Sequence, residues 1–146
     1  MPETDFRDVT GACHCGGVGF VAKVDLASAR RCNCSLCRMR GAVALSADLA
    51  DFTVTRGEGL LTLYTFNTGA AKHYFCSKCG IYTHHQRRSN PHQFGVNVAC
   101  IDGMSPFDFA EIAVMDGVLH PNDGGGGIVG MLRYTPTQSA GREPTN

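Results

Sequence analysis

The chain has 146 residues, and its 13 lysine and arginine side chains balance its 13 aspartate and glutamate side chains at pH 7. This length is typical of a single domain, and the charge balance provides no overall field to attract nucleic acid or an anionic membrane. The sequence contains neither an apolar N-terminal segment nor a run of about 20 apolar residues. We therefore expect a cytoplasmic protein that binds neither nucleic acid nor membranes.

Short apolar and β-branched runs alternate with turn residues along the chain, and none carries a long helical repeat. The candidate strands cover residues 18–24, 42–45, 52–55, 60–66, 73–75, 81–84, 94–101 and 109–115. Glycine, asparagine, aspartate and proline mark turns between these runs. The sequence therefore predicts a mostly β fold in which any helix is short.

Two later segments lack the features of strands. Residues 123–127 are rich in glycine, but no Lys-Ser/Thr pair follows them, so we expect a surface loop and not a phosphate-binding loop. Residues 135–146 contain no apolar run, which is typical of a flexible tail. We therefore expect one domain over residues 1–134 and a polar tail over residues 135–146.

The eight cysteines are an even number, so both a disulfide framework and metal binding have to be considered. In a reducing compartment the thiols would stay free, which favours metal binding. The single-residue spacing of Cys13 and Cys15, repeated in Cys32 and Cys34, also suits two ligands on one ion better than two separate disulfides.

Four of the cysteines form two distant pairs, Cys13-x-Cys15 and Cys76-x-x-Cys79. In an extended strand Cys13 and Cys15 would point to the same face, because side chains alternate with a period of two. Gly80 gives the second pair the backbone freedom that a tight turn requires. Four thiolates are the ligand set of a structural zinc, so we predict such a site here.

The other cluster, Cys32, Cys34 and Cys37, lies within six residues, close enough for all three thiolates to reach one ion. Structural zinc sites have four protein ligands, whereas catalytic sites have three and an open position. The ligand count therefore favours a catalytic zinc. In the alternative, a histidine closes the site, and the candidates are His73, His84, His85 and His92.

Four arginines surround the second cluster, and no acidic residue occurs from position 30 to position 40. They are Arg30, Arg31, Arg38 and Arg40. One interpretation is that they offset the negative charge of a zinc–thiolate group. The other is that they bind the carboxylates of an anionic thiol substrate, because a guanidinium group binds a carboxylate in a bidentate manner.

Three cysteine motifs, in this order, resemble the glutathione-dependent formaldehyde-activating enzyme family, also called the Gfa or centromere-protein-V family. They are Gly11-Ala12-Cys13-His14-Cys15-Gly16, Cys32-Asn33-Cys34-Ser35-Leu36-Cys37-Arg38 and Phe75-Cys76-Ser77-Lys78-Cys79-Gly80. A looser similarity runs from Gly95 to Asp102, and the resemblance covers about residues 10–120. Residues 84–92 match no part of the family pattern.

The resemblance implies an Mss4-like, or β-tent, fold of several small coiled antiparallel sheets held by two zinc ions. It implies that Cys13, Cys15, Cys76 and Cys79 bind the structural ion, and that Cys32, Cys34 and Cys37 bind the catalytic one. It also implies a carbon-sulfur lyase that combines glutathione, as co-substrate, with formaldehyde reversibly to S-(hydroxymethyl)glutathione or a related thiol–aldehyde adduct. The alternative is a non-catalytic, zinc-stabilised binding module for a thiol ligand or a protein partner.

Overall fold

The computed structural model describes residues 3–119 and 127–137, and in this part of the chain it has ten strands and one short α-helix. The strands are β1 (Phe6–Ala12), β2 (Gly19–Cys32), β3 (Ala44–Asp48), β4 (Phe52–Arg56), β5 (Leu61–Tyr64), β6 (Lys72–Cys76), β7 (Tyr82–Gln86), β8 (Gln93–Asn97), β9 (Glu111–Met115) and β10 (Ile128–Arg133). Helix α1 spans Ser35–Arg40. Single 3-10 turns cover Leu49–Asp51, Glu58–Leu60, Val98–Cys100 and Pro106–Asp108. The predicted mostly β fold with little helix is confirmed.

Strand β2 connects the small antiparallel regions of the fold. Its first half pairs with β1 and β4, and its second half pairs with β3 and, in parallel, with β9. The register with β3 shifts between Asp25 and Arg30, where the Ser28 hydroxyl accepts a hydrogen bond from the Ser46 amide at 2.7 Å. Such an irregularity bends a strand, and here it directs the end of β2 toward a different set of neighbours.

The remaining strands follow β2 in the order β3, β8, β7, β6 and β5, all antiparallel. In this order one strand, β8, separates β7 from β3, and β3 pairs with the end of β2 at Arg30. Strand β7 and the segment that follows it therefore lie near the end of β2. On the other side of β2, the sheet continues through β9 to β10. Within the described residues, no helix is long and apolar enough to span a membrane.

The main hydrophobic core lies against β2, β3 and β8. Phe20 and Val24 on β2 are almost fully buried, whereas Val21 and Lys23 between them face outward. Leu45 and Val96 contribute from the paired strands β3 and β8, and each has no exposed surface. Each such side chain stabilises the fold by about 1.5–3 kcal/mol on burial, so this core anchors the strands that carry the site.

Two strands are absent from the sequence prediction, β1 and β10. Strand β1 is polar and mostly exposed, and it forms because seven residues pair with β2, from Phe6 opposite Asp25 to Ala12 opposite Gly19. Strand β10 contains Gly130, and among the described residues its partner is β9. Both segments therefore become strands through pairing with a neighbouring strand, because neither has the alternating pattern of a half-buried strand.

Other predicted boundaries also change. The predicted strand over residues 94–101 ends at Asn97, because the Asn97 side chain accepts a hydrogen bond from the Ala99 amide and begins a 3-10 turn. The predicted strand over residues 18–24 continues to Cys32. The predicted loop over residues 123–127 lies outside the described residues except for Gly127, and so does the tail from residue 138 onward.

Candidate functional site

The first candidate site is the four-cysteine cluster. The Sγ atoms of Cys13, Cys15, Cys76 and Cys79 all lie within 4.8 Å of one another, and all four residues are free cysteines. The Cys13 and Cys15 sulfurs are 3.6 Å apart, and the Cys15 and Cys76 sulfurs are 3.7 Å apart. A tetrahedral zinc with Zn–S bonds of about 2.3 Å separates its sulfurs by about 3.8 Å. The donor set and its spacing therefore fit one zinc ion.

The first half of this cluster forms in a way that the sequence analysis did not predict. Strand β1 ends at Ala12, so Cys13 and Cys15 lie in a turn and not in an extended strand. The Gly16 amide closes this turn by donating to the Cys13 carbonyl at 3.0 Å. The prediction that strand alternation aligns the two sulfurs is therefore wrong, because the turn brings them together instead.

The second half of the cluster has the predicted tight turn. Cys76 is the last residue of β6, and the Gly80 amide donates to its carbonyl at 2.8 Å. Gly80 has a φ of 76°, in the left-handed region that glycine adopts most readily. This turn directs the Cys76 and Cys79 sulfurs toward the first pair.

Backbone amides also point at these sulfurs. The Val18 amide donates to the Cys13 Sγ at 3.2 Å, and the Gly17 amide donates to the Cys15 Sγ at 3.4 Å. Amides of Cys15 and Ile81 lower the pKa of Cys79 to about 6. Hydrogen bonds to a sulfur favour its thiolate form, which is the form that binds metal.

The second candidate site is the three-cysteine cluster, which forms where β2 passes into α1. Cys32 ends β2, Cys34 is the N-cap of α1, and Cys37 lies in the helix. Their Sγ atoms lie within 4.8 Å of one another, and in the described part of the chain no histidine nitrogen or carboxylate oxygen joins them. The geometry therefore does not favour closure by a histidine.

Hydrogen bonds within this cluster distribute its protons unevenly. The Cys34 amide donates to the Cys32 Sγ, and the Cys37 amide donates to the Cys34 Sγ, each at 3.4 Å. The neighbouring thiols of Cys32 and Cys37 lower the pKa of Cys34, whereas the same thiol–thiol hydrogen bonds raise the pKa of Cys37. The three thiols therefore titrate as one group, in which the surrounding hydrogen bonds favour the thiolate form of Cys34.

Asn33 and Gly117 hold the three-cysteine cluster against the end of β9. The Asn33 Oδ1 accepts hydrogen bonds from the amides of Gly117, at 2.7 Å, and Val118, at 3.1 Å. A Cβ atom at position 117 would overlap the Cys32 Sγ and lie 2.7 Å from the Cys34 Cβ. Glycine is therefore required at position 117 by the closeness of the cysteines, a reason that its sequence context does not reveal.

A cavity of about 440 Å³ opens beside this cluster. The cluster lines it together with all four predicted arginines and with two further arginines that follow β7, and the six are Arg30, Arg31, Arg38, Arg40, Arg87 and Arg88. Asp116 is the acidic residue of the lining, and its Oδ1 already accepts the Val118 and Leu119 amides at 3.1 and 3.0 Å. The cavity is therefore strongly basic.

Arg40 organises one wall of the cavity. Its Nη1 donates to His73 Nδ1 at 3.1 Å, its Nη2 donates to the Cys37 Sγ at 3.5 Å, and its guanidinium lies 3.6 Å above the Tyr82 ring centroid. Because arginine only donates, His73 Nδ1 must accept, so His73 carries its proton on Nε2. Burial, and then the Arg40 charge, lower the pKa of His73 to about 4. His73 is therefore neutral at pH 7.

Tyr82 and His85 complete this wall. The sequence analysis gave Tyr82 no role, and it considered His85 only as a possible fourth ligand of the three-cysteine site. The Tyr82 hydroxyl and His85 Nδ1 are 2.6 Å apart, and the His85 ring stacks on His73 with centroids 5.1 Å apart. The arginine- and histidine-rich composition of residues 84–92 was the available signal. The sequence could not place residues 84–92 at this cavity, because β7 comes near the end of β2 through strand pairing, by way of β8 and β3.

Comparison with known proteins identifies the family of this chain. The family model for the glutathione-dependent formaldehyde-activating enzyme matches residues 8–113, a range that includes both clusters. A crystal structure of a Rhodobacter sphaeroides protein is 55% identical, with a TM-score of 0.70, and the match covers 72% of this chain and 98% of that chain. The resemblance drawn from the cysteine motifs is confirmed: this chain belongs to the glutathione-dependent formaldehyde-activating enzyme family.

Proposed function

We propose that the protein is a carbon-sulfur lyase that combines glutathione and formaldehyde reversibly to S-(hydroxymethyl)glutathione. One observation carries the proposal: within the described residues, a cluster of three thiols without a fourth protein ligand opens onto an arginine-lined cavity of about 440 Å³. Three protein ligands and an open position are typical of catalytic zinc sites. Membership of the family supports glutathione and formaldehyde as the substrates.

Each cluster would hold one zinc ion, so two ions per chain are proposed. Cys13, Cys15, Cys76 and Cys79 would hold the structural ion, and Cys32, Cys34 and Cys37 the second. Thiolate sulfurs are soft ligands that suit zinc. When bound at the second site, zinc would supply Lewis-acid chemistry that favours the thiolate form of a substrate thiol.

The residues of the chain would bind and orient the two substrates. Arginines along the cavity would bind the carboxylates of glutathione, which holds its sulfur near the cluster. Formaldehyde is small enough to enter beside the sulfur, and holding both reactants together removes much of the entropy cost of the encounter. The reaction needs no oxidant, because it is an addition of the thiol to the carbonyl group. A C–S bond forms, the carbonyl π electrons move to oxygen, and the oxygen takes up the proton that the thiol loses.

Cellular context follows from the same chemistry. Seven cysteines in metal sites require reduced thiols, so we propose a cytoplasmic location. The partners would be a small thiol and a small aldehyde, and the zero net charge supports the absence of nucleic-acid and membrane partners. We also propose that residues 1–134 form one domain and that residues 135–146 form a tail.

Exchange NMR spectroscopy on the zinc-loaded protein tests the proposed reaction. Glutathione and formaldehyde combine spontaneously, so the measured quantity is the rate of adduct formation above the protein-free background. We expect a rate that increases in proportion to protein concentration. A rate equal to the background with every thiol tried would reject the lyase, and the chain would instead be a zinc-stabilised binding module for a thiol ligand or a protein partner.

A further inference from the structure

Residues 84–92, which lie outside the three cysteine motifs, contribute an arginine to the cavity. Arg87 follows β7, and its amide donates to the Gln93 carbonyl at 3.1 Å in the connection between β7 and β8. Its side chain lines the same cavity as Cys32 and Cys37.

One edge of the Arg87 guanidinium lacks a partner. In the part of the chain that the structure describes, its Nε and Nη2 atoms are buried and make no hydrogen bond. These two nitrogens form the edge that binds a carboxylate side-on. Arg7 shows this use in the same chain, because its Nε and Nη2 contact the Asp5 carboxylate oxygens at 3.0 and 3.3 Å.

The surroundings of Arg87 make an anion the suitable partner. Burial, and then the positive charge of Arg30, lower the pKa of Arg87 to about 10, still well above 7, so the group stays charged. A buried charge without a partner is strongly destabilising, and an anion removes this penalty. Asp116, the acidic residue of the lining, already accepts two backbone amides. Within the described residues no acceptor bonds to this edge of Arg87, so the carboxylate of a ligand is a suitable partner for it.

We propose that Arg87 is a carboxylate receptor, and that through it the cavity selects thiols that also carry a carboxylate. The proposal rests on the proposed function for its choice of glutathione as the ligand. A ligand with a sulfur and a carboxylate would reach the cysteine cluster and Arg87 together. Neutral thiols would lack the second contact and would bind more weakly.

Calorimetric titration with S-methylglutathione and its diethyl ester tests this inference directly. The methyl group blocks the thiol, so the titration reports the peptide contacts without a metal–thiolate bond. The zinc-loaded proteins are wild type, Arg87→Met, Arg87→Lys and the control Arg133→Met. Arg133 is suitable as a control because its exposed side chain pairs with Glu111 at 3.0 Å on the surface.

We expect wild type and Arg133→Met to bind the diacid about thirtyfold or more tightly than the diester, the range for a buried charge pair. Arg87→Met should lose most of this preference and keep only the part that the other arginines of the cavity contribute. Arg87→Lys should keep only part of the preference, because lysine retains the charge but not the bidentate edge. Without ligand, Arg87→Met should melt no lower than wild type, because it removes an unpaired buried charge.

Three results would overturn the proposal: no binding of the diacid to wild type at millimolar concentration, no preference for the diacid, or an unchanged preference in Arg87→Met. If Arg87→Met does not fold, the Arg87→Lys variant provides the test. An affinity for the diacid equal to that of wild type in this variant would reject Arg87 as the carboxylate receptor. Formaldehyde exchange on the same preparations separates the two proposals. An Arg87-dependent preference without turnover would reject the lyase alone, and turnover without the preference would reject the receptor alone.

Discussion

The two cysteine clusters use the same side chain in different surroundings. Cys13 and Cys76 are 4% and 0% exposed, and they pack with Val18 in a small core of their own. Cys32, Cys34 and Cys37 are only partly buried and form one wall of a cavity. The first cluster joins parts of the chain that are 61 residues apart, whereas the second lies within six residues. Cys15 is exposed and Cys79 is partly buried, so the clusters differ in one buried pair of cysteines and in sequence separation, and not in residue type. This difference supports the proposed division between a structural and a catalytic site.

The largest expected effect is the loss of the four-cysteine site. Cys79→Ser should prevent cooperative folding or cause aggregation, because the binding energy of a structural zinc, on the order of 10 kcal/mol, is also folding energy. Thermal melting followed by circular dichroism measures this effect. Cys100→Ser is the control, since Cys100 is a buried free cysteine outside both clusters. A Cys79→Ser protein that melts like wild type would remove the structural assignment.

Loss of the three-cysteine site should instead abolish activity and leave the fold intact. Wild type should contain up to two zinc ions, and Cys34→Ser should lose one of them together with the adduct formation above background. Metal analysis, exchange spectroscopy and melting on the same samples measure the three effects. Collapse of Cys34→Ser, or one ion at most in metal-replete wild type, would contradict the division between the sites.

Acid should weaken the fold through a histidine that belongs to neither cluster. His84 is 4% exposed, contacts the Phe52 ring at 4.3 Å, and burial lowers its pKa to about 4. The unfolded state therefore binds a proton more readily between pH 6.5 and 4. The contribution of neutral His84 to the free energy of unfolding is fully present above about pH 6.5. It is lost as the pH falls toward 4, by up to about 3 kcal/mol.

Denaturant unfolding of His84→Gln at several pH values measures this contribution. Glutamine cannot take up the proton, and it can still bond to Thr83, whose hydroxyl is 2.8 Å from His84 Nδ1. The difference in unfolding free energy between wild type and His84→Gln should shrink as the pH falls from 6.5 to 4. His92→Gln, at an exposed position, should follow wild type. An equal dependence on pH in wild type and His84→Gln would exclude His84 as the acid-sensitive group.

The smallest effects come from a matched pair of glycine substitutions. Gly117→Ala should weaken the second zinc site by about 10- to 100-fold, because its methyl group would displace Cys32. Gly80→Ala meets no neighbouring atom but has a φ of 76°, so it should lower the stability of the fold by about 1 kcal/mol. Competition with a zinc chelator and thermal melting measure the two effects. A Gly117→Ala protein with normal zinc affinity would show that the cluster tolerates the displacement.

Some features were predictable because they depend on residues close in sequence. The alternation of Phe20, Ala22 and Val24 predicted part of β2, and the Cys76-x-x-Cys79-Gly80 spacing predicted its turn. The three-cysteine group was equally local, since all its members lie within six residues. Strand β1 escaped prediction, because its polar residues are ordered only by pairing with β2.

The sequence by itself determined the family, the mostly β class and the grouping of seven cysteines into two sets, because these depend on residue type and spacing. Only the tertiary structure decided that Gly117 packs on Cys32 and that Arg87 shares a cavity with the cluster. Those relations depend on the order of strands in the sheet, which brings together residues far apart in the chain. Partner choice between strands is a long-range property that local periodicity does not encode.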